Sequence, residues 1–209
     1  MSISTDKVRS IICDIARVME ERKQYLSDLD QAIGDGDHGF NMARGFSVLT
    51  QKLKDTPGTD IGDLLKIVAM TLISNIGGAV GPLYGSMFLK ASTASMGLTE
   101  IELVGFLPLF REGILAIQDR GNAELGDKTM LDVLLPALAS LEKDAAAGLS
   151  CGEAFSNAEK VAADCMEKTK DIVAKKGRAS YLGERSIGHI DPGAASSYLI
   201  ISTISKALA

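Results

Sequence analysis

Apolar residues recur at intervals of three and four along almost the whole chain, and that spacing constrains the fold more than any other feature. Val8, Ile11, Ile12, Ile15 and Met19 make one such stripe, the pattern of a helix with one buried face. Alternating strand patterns are hard to find. Periodicity and start signals together place helices over 5–27, 38–54, 61–75, 82–96, 100–119, 129–147, 151–176 and 192–207. Thr99 with Glu102, and Ser150 with Glu153, have the capping-box spacing. Pro82 and Pro192 sit where a first-turn proline is tolerated. Pro108 and Pro136 fall inside helices five and six and are expected to kink them. The expected fold class is therefore all-α: an antiparallel bundle, or a closed helical barrel, of eight amphipathic helices. At 209 residues the chain suits one well-cored domain spanning 1–209 and is short for two.

An up-and-down arrangement puts the first, third, fifth and seventh connections at one end. Those are GDGDHG, NIGGAVGPLYG, DRGNAELGDKT and KKGRASYLGERSIGHIDPG. They hold most of the chain's 21 glycines and both of its histidines, His38 and His189. The remaining connections, KDTPGTD, SMGLT and AAAGLS, read as plain connectors. Glycine permits positive φ and close approach of backbone to a ligand. Helix starts present free N–H groups to anions. One end of the bundle is thus expected to hold a phosphorylated ligand, and the other to be a cap.

Composition narrows the function classes. Lys+Arg 22 against Asp+Glu 27 gives a net charge of -5, which argues against a nucleic-acid binder, since that affinity comes from neutralising phosphates. Cys13, Cys151 and Cys165 form no CxxC pair, as expected of a reduced, cytoplasmic protein without structural zinc. The polar start MSISTDKVRS reads as no signal peptide, and no apolar run approaches a membrane span. Nothing signals self-association.

The stretch AIGDGDHGFN supplies the sharpest chemistry. Asp30, Asp35 and Asp37 crowd like charges among glycines, and oxygen-only ligands favour Mg²⁺, Ca²⁺ or Mn²⁺ over zinc. It is not an EF-hand, because the twelfth position from Asp35 is Phe46. The plainer alternative is that Asp37 caps a helix and the other aspartates are solvated. His38, with no cysteine nearby, is read as a hydrogen-bonding contact to phosphate rather than a zinc ligand. GNAELGDKT mimics a P-loop, but Asp127 separates Gly126 from Lys128 and a helix precedes it. That reading is rejected. Thr129 is expected as an N-cap, with Met130 behind it in the first turn, either core or soft cover for an adenine face. The last loop brings Lys175, Lys176, Arg178 and Arg185 into an acidic chain. Arg178 suits bidentate contact with phosphate, while Lys175 and Lys176 are read as favouring a helix C-terminus. The cysteines read as core residues.

GDGDHGFN, GGAVGP, GDKTM and GRASYLGERSIGHIDPGA, in this order, resemble the L-subunit family of bacterial dihydroxyacetone kinases. That subunit binds the nucleotide of the phosphotransferase-system-dependent enzyme, and the resemblance covers essentially the whole chain. It implies a closed barrel of eight antiparallel helices with the nucleotide site at one end. It implies two Mg²⁺ ions held by Asp30, Asp35 and Asp37. It implies ADP/ATP contacts from His38, Gly39, Phe40 and Asn41, from Ala79 and Val80, from Gly121, Met130 and Arg178, and from Asp191, Pro192 and Gly193. Val80 departs from the smaller polar residue expected there, which a backbone contact survives and a side-chain hydrogen bond does not. Gly36 is a similarly mild variation. The implied partners are a K subunit that binds dihydroxyacetone and an M subunit whose phosphohistidine recharges ADP in place. The chain's length favours this separate-subunit form over a fused, ATP-dependent one. The resemblance leaves the catalytic base unassigned. Other readings are a kinase module using exchanging ATP on another ketose or an acyl acceptor, as in the similar N-terminal domain of fatty acid kinases, and a non-catalytic nucleotide-sensing module. A metal-dependent hydrolase is weaker.

Overall fold

The computed structural model describes residues 2–55 and 60–209. The helices are α1 (Thr5–Glu21), α2 (Lys23–Ile33), α3 (His38–Asp55), α4 (Ile61–Asn75), α5 (Val80–Ala94), α6 (Leu103–Gly121), α7 (Leu131–Ala146), α8 (Cys151–Lys168) and α9 (Pro192–Leu208). Two strands, β1 (Ile3–Ser4) and β2 (Glu100–Ile101), pair antiparallel, Ile3 against Ile101. Two 3₁₀ segments, Thr169–Asp171 and Arg178–Ser186, lie between α8 and α9.

Each helix from α3 onward packs on the next, α9 packs on α1, and α1 packs on α3. The ring therefore closes on itself as an eight-helix barrel, with α2 laid against α3 and α9 at one end. Met19, Phe46, Leu49, Leu64, Leu72, Ile114 and Leu131 fill its axis and are essentially inaccessible to solvent. Ala154, Ala158 and Ala162 put a fully buried small-residue stripe on α8, and α8 packs against both α7 and α9. The four connections α2–α3, α4–α5, α6–α7 and α8–α9 line one shared cavity, so successive helices run in alternate directions. At the other end Thr5 N–H bonds Thr99 O at 2.9 Å, and Ile61 N–H bonds Leu98 O at 2.8 Å. Most of the connector KDTPGTD lies outside the described residues.

Three differences from the sequence expectation bear on the site. The first helix does not stop at 27. It breaks at Arg22, where ψ is 6°, and resumes as α2 because Leu26, Leu29 and Ile33 continue the apolar stripe. Asp30 therefore lies on a helix rather than in a loop. The Thr99–Glu102 capping box does not form. Thr99 O is taken by Thr5, residues 100–101 pair with β1, and α6 starts behind Glu102 without a side-chain cap. The Ser150–Glu153 box does form. The eighth helix ends at Lys168 instead of 176, because Lys128 takes the carbonyls of Thr169 and Ile172. The prolines of α6 and α7 are housed inside them, as expected.

Candidate functional site

Asp30 closes α2, and the chain turns through Gly34 and Gly36 before α3 begins. Asp30 Oδ2 accepts from Asp37 N–H at 2.9 Å and His38 N–H at 3.2 Å, which fixes the turn. Asp30, Asp35 and Asp37 each present one oxygen, all within 4.8 Å of one another. Burial raises the Asp30 pKa, and the charges of Asp35 and Asp37 add to it against the two N–H donors. A cation would relieve this repulsion, and one is supplied from the far loop: Arg178 Nη2 lies 2.8 Å from Asp35 Oδ2. Three hard oxygen donors that draw in a positive group fit a divalent cation such as Mg²⁺.

The start of α3 is held close to α2 by Gly39. A Cβ there would lie 1.9 Å from Lys23 O and 2.9 Å from Ser27 N, so only glycine permits this crossing. His38 is buried behind the aspartates, and burial lowers its pKa to about 4, keeping it neutral. Its Nε2 lies 3.0 Å from Ser196 Oγ of α9. Tyr84 of α5 meets both Ser196 Oγ (3.0 Å) and Ser197 Oγ (2.9 Å). Burial pushes the Tyr84 pKa to about 12, so it stays a phenol.

Lys128 organises the opposite wall. It adopts φ 61°, which costs a non-glycine residue on the order of 1 kcal/mol. Asp132 holds the turn by accepting from Gly126 N–H at 2.6 Å and Thr129 N–H at 2.7 Å. Lys128 is 1% exposed, and its Nζ donates to Thr169 O (2.7 Å), Ser186 O (2.8 Å), His189 O (2.6 Å) and, longer, Ile172 O (3.3 Å). Burial lowers its pKa, and Asp191, Asp132 and Asp171 oppose that. Asp127 adds a second tie, since its carbonyl accepts from Lys175 N–H at 3.1 Å and its carboxylate faces Lys175 Nζ at 3.4 Å. The segment that mimics a P-loop is thus a clamp on the long loop before α9. Asp191 then caps α9, accepting from Ala194 N–H at 2.7 Å. Burial pushes its pKa up to about 7, with Asp132 and Asp30 adding.

These parts enclose a cavity of about 450 Å³. One end carries Asp30, Asp35, Asp37 and Arg178. Leu83, Ile117, Ala123, Met130 and Leu131 give it an apolar stretch of wall. An apolar slot with a few convergent charged groups is the usual form of a small-ligand site. Asp30, Asp35, Asp37, His38, Ala79, Val80, Gly121, Met130, Arg178, Asp191, Pro192 and Gly193 all line it. Gly39, Phe40 and Asn41 do not. Gly39 faces Lys23, Phe40 is half exposed, and Asn41 is buried with Oδ1 bonded to Arg44 at 2.7 Å.

Arg120 and Lys128 also line the cavity, and sequence reasoning gave neither of them a role there. Lys128 carried only the P-loop mimicry, and no local pattern reveals a cage built from carbonyls 41 to 61 residues away. Thr129 is not the N-cap residue of α7, although its Oγ1 accepts from Leu131 N–H at 3.1 Å. Lys175 and Lys176 do not sit at a helix C-terminus, because α8 ends earlier. Lys175 pairs with Asp127, and Lys176 faces the cavity. Cys151 is buried, while Cys13 and Cys165 are half-buried, and all three are unpaired. Burial raises the thiol pKa of Cys151 and Cys165, which suits a packing role.

Comparison with known proteins agrees with this architecture. The chain is 41% identical over 207 residues to the PEP-dependent dihydroxyacetone kinase, ADP-binding subunit DhaL, of Escherichia coli, spanning 99% of both chains. It is 46% identical over 187 residues to the ADP-binding subunit DhaL of PEP-dependent dihydroxyacetone kinase 1 of Listeria innocua, spanning 90% of this chain and 88% of that one. The crystal structure of the C. freundii dihydroxyacetone kinase with AMP-PNP and Mg²⁺ superposes with a TM-score of 0.77 at 22% identity. It covers 99% of this chain and 34% of that one, and at that identity the likeness carries the helical fold. Among the described residues no helix is long and apolar enough to cross a membrane. The DAK2 domain pattern matches residues 32–206, from the acidic turn through the last helix, and the chain belongs to the DAK2 domain family.

Proposed function

We propose that this chain is the nucleotide-binding L subunit of a dihydroxyacetone kinase, holding ADP or ATP with magnesium while phosphate passes to a ketose on a separate K subunit. The observation that carries the reading is the cavity itself. It joins three convergent carboxylates and an arginine to an apolar slot of nucleotide size. The full-length match to subunits named as ADP-binding supports it.

A divalent cation bound by Asp30, Asp35 and Asp37 supplies charge neutralisation for the phosphate oxygens. The chain's own residues do the rest. Asp30 is pre-set by the N–H groups of Asp37 and His38, so the carboxylates need no rearrangement. The α5 and α9 starts bring Val80 and Gly193 to the cavity wall, where backbone N–H groups favour anions. Arg178 exchanges its half-exposed partner Asp35 for phosphate, a bidentate match for a guanidinium. Met130, Leu83 and Ile117 cover the base. Phosphoryl transfer asks for positioning and charge, so no covalent nucleophile is assigned in this chain. ADP stays in place and is recharged by a phosphohistidine-bearing M subunit.

The test is to desalt the purified chain extensively in magnesium buffer, extract it with acid, and measure nucleotide and metal. Near-stoichiometric ADP with magnesium is expected. A nucleotide-free chain that binds added ATP rapidly would replace the resident cofactor with an exchanging one. Binding of neither would defeat the reading.

A further inference from the structure

Lys175, Lys176 and Arg178 fall within four positions (175 to 178), and the fold uses each of them differently. Lys175 Nζ faces Asp127 Oδ1 at 3.4 Å, and Arg178 Nη2 reaches Asp35 Oδ2 at 2.8 Å. Lys176 lines the cavity, is half-buried, and forms no ion pair or hydrogen bond through its side chain among the described residues. The backbone is fixed on both sides of it. Ala174 N–H donates to Ser186 Oγ at 2.9 Å, and Lys175 N–H donates to Asp127 O at 3.1 Å. Gly177 turns the chain at φ 64°, and its carbonyl accepts from Ser180 Oγ at 2.7 Å. Lys176 is therefore an ammonium carried to the cavity on a held segment. Partial burial costs such a group some of its hydration, and an acceptor offsets that cost.

The other cations that line the cavity are committed or more exposed. Backbone carbonyls take Lys128 Nζ, Asp35 takes Arg178, and Arg120 is exposed. Asp30, Asp35 and Asp37 share the cavity with Lys176, yet it pairs with none of them. Its charge is thus left for an anionic ligand and does not compete with a metal ion for the aspartates. We propose that Lys176 is a phosphate ligand, whose ammonium bonds the phosphate chain of the bound nucleotide and holds ADP against release. An ammonium presents three donors and meets phosphate as a point charge, with no fixed fork to align. The inference rests on the proposed function and deepens it: Arg178 must leave Asp35 to serve the phosphate, whereas Lys176 gives up no protein partner.

The test compares the full chain with its Lys176→Met and Lys176→Arg variants, each freed of nucleotide and metal by dialysis against chelator. Calorimetric titration with ADP and Mg²⁺ is expected to show about tenfold weaker binding in Lys176→Met, the loss of one charge-assisted bond. Lys176→Arg is expected to bind nearly as wild type does. Mn²⁺ alone should bind all three equally, and their thermal unfolding without ligand should coincide, because the side chain has no protein partner to lose. After desalting in magnesium buffer, wild type should retain ADP and Lys176→Met should release it. Unchanged ADP affinity in Lys176→Met overturns the proposal, as does a loss that Lys176→Arg does not recover. An equal loss for adenosine, which carries no phosphate, also overturns it and moves Lys176 to the base or ribose. A wild-type chain that binds no ADP defeats the proposed function and this contact with it, whereas wild-type binding with an indifferent Lys176→Met defeats the contact alone.

Discussion

Arg178 Nη2 lies 2.8 Å from Asp35 Oδ2, so the last long loop reaches across the cavity and touches the acidic turn in front of α3. The two residues are 143 positions apart in sequence (178 − 35), and both line the cavity. The guanidinium stands where the carboxylates attract positive charge.

That relationship gives two effects of opposite sign from one substitution. Arg178→Gln removes a competitor for Asp35, and an exposed pair of this kind is worth roughly 0–1 kcal/mol. Mn²⁺ alone should therefore bind equally well or a few-fold tighter. ADP affinity in the presence of metal should fall by about tenfold, the loss of one charge-assisted bond. Asp35→Asn should weaken both. Calorimetric titration of the three proteins separates them. Weaker Mn²⁺ binding in Arg178→Gln would remove the idea of competition.

Lys128→Met should destabilise the protein by at least about 1–3 kcal/mol, the cost of a buried carbonyl left without its donor. Lys128→Arg should not restore it, because a planar fork cannot reproduce an ammonium that meets four carbonyls. Urea unfolding measures the loss. Limited proteolysis should also show new cuts between Thr169 and His189, and a stable, uncut Lys128→Met would show that the clamp is unimportant.

Asp191 predicts a pH dependence. Its native carboxyl titrates near 7 against an ordinary 3.8, mainly through burial. The native state therefore holds the proton more tightly than the unfolded state. Its contribution to stability is complete below the ordinary value and is lost as pH rises to about 7. Part of Asp191 still faces the cavity, so water there tempers the loss. Asp191→Asn keeps a capping side chain and should flatten this part of the stability profile in chelator-treated protein. It should also be the more stable of the two above neutrality. Parallel profiles for wild type and variant would show that Asp191 is not the titrating group.

Gly39→Ala tests packing against ligand contact. Its methyl would meet Lys23 O, and overpacking of this kind costs about 1–3 kcal/mol. Thermal unfolding should register that loss. ADP affinity of the folded fraction should change little, because Gly39 does not line the cavity. A large loss of affinity at unchanged stability would return Gly39 to the ligand.

Much was legible along the chain because it is local. The three-and-four periodicity sets helix faces one turn at a time, so the all-α class and most helices follow from spacing. The acidic turn is equally local, since Asp30, Asp35 and Asp37 fall within eight positions (30 to 37) and their crowding can be read directly. The Ser150–Glu153 cap closes across three residues and could be read directly. The Thr99–Glu102 pair has the same spacing and failed, because the N-terminal strand competes for that backbone.

Tertiary structure decided what depends on distant partners. Nothing near Lys128 marks it as the centre of a carbonyl cage, because its acceptors lie 41 to 61 residues away. His38 and Ser196 are 158 residues apart, and only closure of the barrel brings the start of α9 to the start of α3 and gives the imidazole a buried hydrogen-bond partner. A sequence declares which groups can donate and accept. Burial and proximity determine which of them must, because away from water a polar group has only the partners the fold provides.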